Sequence, residues 1–143
     1  MTPNAEVAVR SFREADRAQL VALWTGVFPD DPPRSAPDRM IHGALAVRPE
    51  SLLVAELDGA VVGAVIAGFD GVRGWIYHLA VAPAHRRRGI ATRLMRGAEA
   101  ALRALGCPKI NLQVRATNQS VVAFYRTLGY ELEERFSLGR ALV

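Results

Sequence analysis

The sequence predicts a mixed α/β sandwich, and three observations carry that prediction. Strand-like and helix-like periods alternate along the chain. Asp58-Gly59 stands between two apolar runs, Leu52–Leu57 and Ala60–Phe69, which is a strong local signal for a hairpin. The stretch Trp75–Leu105 begins as a β-branched and aromatic run, passes through a basic turn and continues as an amphipathic helical repeat. A length of 143 residues suits one domain, 1–143, and 50% hydrophobic residues can fill a core.

The elements follow in order. Glu6–Phe12 reads as a first strand. Asp16, with Gln19 three residues later, reads as a capping box for a helix to about Thr25, whose apolar face is Leu20, Leu23 and Trp24. Gly26 and the segment Phe28-Pro-Asp-Asp-Pro-Pro-Arg34 break it. A second helix, about Ala36–Val47, carries Met40, Ile41, Ala44 and Leu45 and is closed by Pro49. After the hairpin, Asp70–Gly74 turns the chain into the strand Trp75–Val81. Simple alternation puts Trp75, Tyr77, Leu79 and Val81 on one face and His78 on the other.

The next helix has its apolar stripe at Ile90, Leu94, Ala98, Ala101, Leu102 and Leu105, with Arg93, Arg96 and Arg103 largely off it. Gly106 is a natural residue to end it, and Pro108 prevents continuation. Lys109–Arg115 reads as a strand, and Asn118 as the N-cap of a helix to about Leu128 that Gly129 closes. Tyr130–Leu142 predicts two final strands, the first an exposed edge because of Glu131, Glu133 and Glu134.

Composition narrows the function classes. No apolar run approaches the roughly 18 residues of a membrane span. The opening MTPNAEVAVRSFREAD lacks the layout of a signal peptide. The single cysteine, Cys107, allows no internal disulfide and fits a cytoplasmic protein; with no base beside it, a structural role is expected. No Cys or His pair has metal-ligand spacing, so no metal is expected. The net charge of +4 would suit nucleic acid, but the basic residues are spread out and aromatics make up only 7%. A nucleic-acid partner is therefore the third of three readings, one that steep salt dependence would reveal.

The basic turn carries the chemistry. Gly89 and Ala91 leave the backbone approachable, and the first amides of a helix are unpaired donors at the positive end of its dipole. Arg86, Arg87 and Arg88 beside such donors point to phosphate.

Arg86-x-x-Gly89-x-Ala91, after a strand reading Leu79-Ala80-Val81, resembles the acetyl-CoA signature of the GNAT N-acetyltransferases. Asn118-Gln-Ser-Val-Val-Ala-Phe-Tyr125-Arg-Thr-Leu-Gly129-Tyr130 resembles the later helix of that family, in the expected order and separation. Gly68–Gly71, Gly106–Ile110 and Leu138-Gly139-Arg140 look close to its YpeA-type bacterial subgroup. The resemblance covers nearly the whole chain. It implies a mostly antiparallel mixed sheet of six to seven strands with about four helices. The strands Trp75–Val81 and Lys109–Arg115 would splay apart to admit the cofactor.

The resemblance further implies transfer of acetyl from acetyl-CoA to a primary amine of a small molecule or protein. The backbone of Leu79, Ala80 and Val81 would hold the pantetheine and polarise the thioester. The amides from Arg87 through Gly89 and Ile90 to Ala91, with the Thr92 hydroxyl, would hold the pyrophosphate, and Arg86, Arg87 and Arg88 would add charge. Tyr125 would protonate the leaving thiolate, although its spacing from Val121 and Leu128 also fits simple packing. Asn118 would touch the cofactor or merely cap its helix.

The general base stays open among Gln113, which cannot itself take a proton, Tyr77, His78 and Glu56. Trp24, Phe28, Asp30 and Asp31 make either an apolar, acidic rim for a cationic acceptor or an ordinary loop. A homodimer through the final strands would match the family's habit. The alternative from another class is a catalytically silent acyl-CoA-binding sensor module.

Overall fold

The computed structural model describes residues 6–143; the first five residues of the opening that was read for a leader lie outside them. Contacts group the chain into two compact units, which meet in sequence at Leu112 and Gln113.

The first unit holds a five-stranded sheet in the order β1-β2-β3-β4-β5: β1 Ala8–Ser11, β2 Leu52–Leu57, β3 Ala60–Phe69, β4 Gly74–Val81 and β5 Ile110–Leu112. The first four strands pair antiparallel, and β5 runs parallel to β4. The Asp58-Gly59 hairpin joins β2 to β3, with both residues at positive φ (51° and 81°), as the tight primed turn requires. Helices α1 Arg17–Val27 and α2 Pro37–Val47 cover one face of the sheet. There Leu20, Trp24 and Ile41 close a core with Val54, Ala64, Ile66 and Ala80.

Helix α3, Ile90–Ala104, covers the other face. A Cβ at Gly63 would lie 2.9 Å from Leu94 and 3.0 Å from the Ala80 carbonyl, so glycine there lets α3 rest directly on β3. Gly74 does the same beneath Leu102 and Cys107. The thiol of Cys107 donates to the Lys109 carbonyl at 3.2 Å, in keeping with a structural cysteine.

Three local expectations are corrected. Asp16 and Gln19 form no capping box: Asp16 accepts the Arg13 N–H at 2.8 Å, while the Gln19 side chain accepts the Val61 N–H at 2.9 Å across to β3. Gly26 stays inside α1, because the amides and carbonyls of that turn remain paired up to the Phe28 N–H. The predicted strand Lys109–Arg115 is reduced to Ile110–Leu112.

The second unit holds α4, Gln119–Thr127. The two final strands expected from Tyr130 to Leu142 are absent among the described residues, which leaves five strands rather than six or seven. A strand exists through its partner, and this stretch finds none. Leu132, Phe136, Leu138 and Leu142 are exposed in consequence.

Candidate active site

The site begins with a defect in β4. Ile66 faces Tyr77 and Ala64 faces Ala80, so two steps on β3 answer to three on β4. The extra residue is a β-bulge at His78, whose φ is +52°. Alternation is therefore reset, and the expected grouping of Trp75, Tyr77, Leu79 and Val81 on one face is corrected. Trp75, Tyr77 and Ala80 share the face that bears Ile66 and Ala64; Ile76 and Val81 lie on the α3 side.

His78 is likewise not on the face opposite Tyr77. Its ring lies against Trp24 and Phe28 of the α1 side (centroids 5.4 and 4.8 Å), and its Nε2 is 2.8 Å from the Asp31 carboxylate. The Trp24 indole N–H donates to the His78 carbonyl at 3.0 Å and holds the bulge. Among the described residues, His78 Nδ1 has no hydrogen-bond partner. Of the four residues named for a rim, Trp24 is core, Phe28 lies against the imidazole, Asp31 pairs with it and Asp30 is exposed.

β5 pairs with β4 only at Gly74, Trp75 and Ile76. Beyond Ile76, among the described residues, no strand joins that edge of β4, so the stretch through Leu79, Ala80 and Val81 has an open ladder side. This is the expected splay.

From Val81 the chain runs through Pro83–His85 into the basic turn. Arg87 and Gly89 both adopt positive φ (64° and 75°), which aims successive amides toward one side before α3 begins. The first bond of the helix is Arg93 N–H to the Gly89 carbonyl at 3.1 Å. The N–H groups of Ile90, Ala91 and Thr92 are thus left without helical acceptors. No side chain caps this end and no acid stands in its first turn. Space is open around Gly89, and Arg86, Arg87 and Arg88 are exposed. Ile90 and Leu94, buried against Gly63, hold the helix start beside the end of β4. The arrangement suits a diphosphate at the turn with a chain running along the β4 edge.

The other candidates separate clearly. Glu56 is bound 3.4 Å from the Arg10 guanidinium, which Asp16 also grips at 2.8 Å, so it belongs to a structural ion network. Arg10 holds the Asp16 carboxyl below the usual carboxylate range. Tyr77 is half-exposed, and burial of part of its ring pushes its phenol upward.

Within the second unit, Asn118 sits at the N-cap position of α4 but makes no side-chain cap bond; its oxygen accepts the Ser120 hydroxyl at 3.3 Å. The Gln113 amide donates to the Ser137 hydroxyl at 2.6 Å. Tyr125 is buried, edge-on to Phe124 and Tyr130, and burial pushes its phenol up to about 12.

Sequence reading missed two features. The Asp31–His78 pair spans 47 residues and leaves no local signal. An open cavity of about 390 Å³ between α2, β3 and β4, walled by Met40, Val47, Phe69, Trp75 and Tyr77, also went unseen. Among the described residues there is no cluster fit for a metal ion and no helix long and apolar enough to cross a membrane.

Known proteins agree with this architecture. A model of the acetyltransferase (GNAT) family matches residues 17–130. An acetyltransferase of Yersinia enterocolitica is 39% identical over 135 residues, covering 94% of this chain and 95% of the relative. One from Sodalis glossinidius is 41% identical over 136 residues, with the same coverage. Among solved structures, the aminoglycoside N-acetyltransferase AAC(6′)-Iy in complex with CoA superposes with a TM-score of 0.80 at 17% identity, covering 100% of this chain and 99% of that one. Ard1 from Thermoplasma volcanium superposes with a TM-score of 0.78 at 22% identity, covering 89% and 84%. The chain belongs to the acetyltransferase (GNAT) family, and its enzyme class is acetyl-CoA-dependent N-acetyltransferase.

Proposed function

We propose that the chain transfers acetyl from acetyl-CoA to a primary amine of a small molecule or protein by direct attack. The observation that carries this reading is the uncapped start of α3, with the Arg87 and Gly89 turns before it and no acid near it. The amides from Arg87 to Ala91 and the Thr92 hydroxyl hold the pyrophosphate, and Arg86, Arg87 and Arg88 supply charge. The open edge of β4 at Leu79, Ala80 and Val81 takes the pantetheine amides as an added strand would be taken. An amide beside the bulge stabilises the charge that grows on the thioester oxygen.

His78, steadied by Asp31, receives the proton that the amine must shed. The N–C bond forms, the C–S bond breaks, and the Tyr125 phenol donates its proton to sulfur. Burial keeps that phenol protonated at neutral pH, which is the form a donor needs. Asn118, at the start of α4, is assigned a cofactor contact through its amide N–H groups, its oxygen being engaged by the Ser120 hydroxyl.

Thiol release with acetyl-CoA and a panel of mixed amines tests the reading. Turnover that falls about tenfold to a thousandfold in kcat in Tyr125→Phe and in His78→Gln, with acetyl-CoA binding retained, supports the assigned roles. Binding of acetyl-CoA with no thiol release from any amine would instead favour a sensor.

A further inference from the structure

The cavity between α2, β3 and β4 has walls that are almost wholly apolar, but its charged residues are unequal in freedom. Asp70 is occupied by its own turn: its carboxylate accepts the N–H groups of Val72 and Arg73 at 2.7 and 2.8 Å and the Trp75 indole N–H at 3.3 Å. Those donors are neutral, so they fix the orientation of the exposed carboxylate and leave its charge in place. Arg48 is held in place by two contacts, a hydrogen bond from Nη2 to the Phe69 carbonyl at 3.2 Å and a stack over the Phe69 ring at 5.7 Å. Its Nη1 is buried and, among the described residues, has no partner. Arg39 lines the same cavity, exposed and in no ion pair among the described residues. Glu50, 3.9 Å from Arg48 Nε, is largely in water and neutralises little. The cavity is therefore an apolar slot lined by two arginines, and Glu50, largely in water, cancels little of the Arg48 charge.

The other end of the slot is Tyr77, the last residue before the bulge that precedes the open edge at Leu79. Tyr77 faces Ile66, and Phe69 lies three residues further along β3, a span of about 10 Å at strand rise. We propose that this cavity is the acceptor site, taking a primary amine that bears a carboxylate at the far end of an apolar body about 10 Å long. The inference rests on the acetyl transfer argued above: the amine end lies toward the thioester, and the carboxylate meets Arg48, with Arg39 adding charge. The amine nitrogen gains the acetyl group and loses a proton, the thiol is released, and the carboxylate is unchanged. A polycation would meet two arginines against the single carboxylate of Asp70, so polyamines should be poorer acceptors than the amino acid.

The whole chain with acetyl-CoA and three acceptors of matched length tests this: 8-aminooctanoate, octylamine and 1,8-diaminooctane. The carboxylate should raise kcat/KM at least about tenfold over octylamine, and the diamine should be poorest. In Arg48→Gln the ratio between the first two should collapse toward one, carried by KM. Arg39→Gln, at an exposed position that cannot disturb the fold, should lower it by about two- to threefold.

Calorimetry with octanoate supplies a readout that needs no turnover. Octanoate should bind the wild type and lose its heat signal in Arg48→Gln. If octanoate binds in that manner and no amine turns over, the carboxylate site stands and acetyl transfer fails. If acetyl-CoA binds and octylamine turns over as well as 8-aminooctanoate, or octanoate gives no binding, the inference is overturned and acetyl transfer remains.

Discussion

The arginine of β1 and the arginines before α3 are used in opposite ways. Arg10 on β1 meets Asp16 at 2.8 Å and Glu56 at 3.4 Å, with its side chain only 17% exposed. Its charge is consumed inside the fold, where it ties the first strand to the start of α1 and to β2. Arg86, Arg87 and Arg88 stand exposed before α3, with no acid in the first turn of the helix and three amides lacking helical acceptors. The same side chain is structural where the sequence places a carboxylate within reach and available to a ligand where it places none. A local count of arginines cannot tell these apart; the position of the acids can.

The comparison can be broken from either side. The largest effect should come from Asp16→Ala, which leaves the partly buried Arg10 with one distant carboxylate. Stability should fall by about 2–3 kcal/mol in urea unfolding, with acetyl-CoA affinity unchanged. A loss below about 0.5 kcal/mol would show that the network is ornamental.

Next in size is Gly89→Glu. A side chain at φ +75° is strained, and a carboxylate placed before unpaired amides repels phosphate. The Kd for acetyl-CoA should rise about a hundredfold, and stability in urea should fall by only the roughly 1 kcal/mol of the positive φ, since no atom lies within 4 Å of the new Cβ. Arg88→Ala should be milder, weakening acetyl-CoA by about threefold and flattening the salt dependence of its Kd, because an exposed cation is screened.

A smaller effect sharpens the structural side. Arg10 lowers the Asp16 carboxyl in the folded state. That contribution is complete above the unfolded value near pH 4 and is lost as pH falls through the lower folded value. Wild-type stability should therefore decline more steeply below about pH 4 than that of Asp16→Ala.

What could be read from the sequence follows the same division between local and distant. The hairpin at Asp58-Gly59, the stripe from Ile90 to Leu102 and the turn through Gly89 are local patterns, and the structure reproduces them nearly to the residue. The open stretch of β4 followed from family resemblance and is present as the missing partner beyond Ile76. Other features depend on residues far apart. The bulge at His78 is a mismatch between β3 and β4 and has no trace in β4 alone. Asp16 looked like a cap because Gln19 followed it, but Arg10 and Arg13 claimed the carboxylate, and the Val61 amide across the sheet took the glutamine. Two final strands are expected from Tyr130 to Leu142, yet pairing needs a neighbour that the described residues do not supply.

A strand sorts its side chains by odd and even numbers, and the bulge at His78 switches that parity midway along β4. Removing the extra residue would restore a plain ladder: two steps on β4 would answer two on β3, and Trp75, Tyr77 and Ala80 would keep the face they share. What would go is the carbonyl that the Trp24 indole holds and the imidazole beside Asp31. The extra residue therefore moves no neighbour to the other side of the sheet; it adds to the α1 face one side chain for which a regular strand has no place.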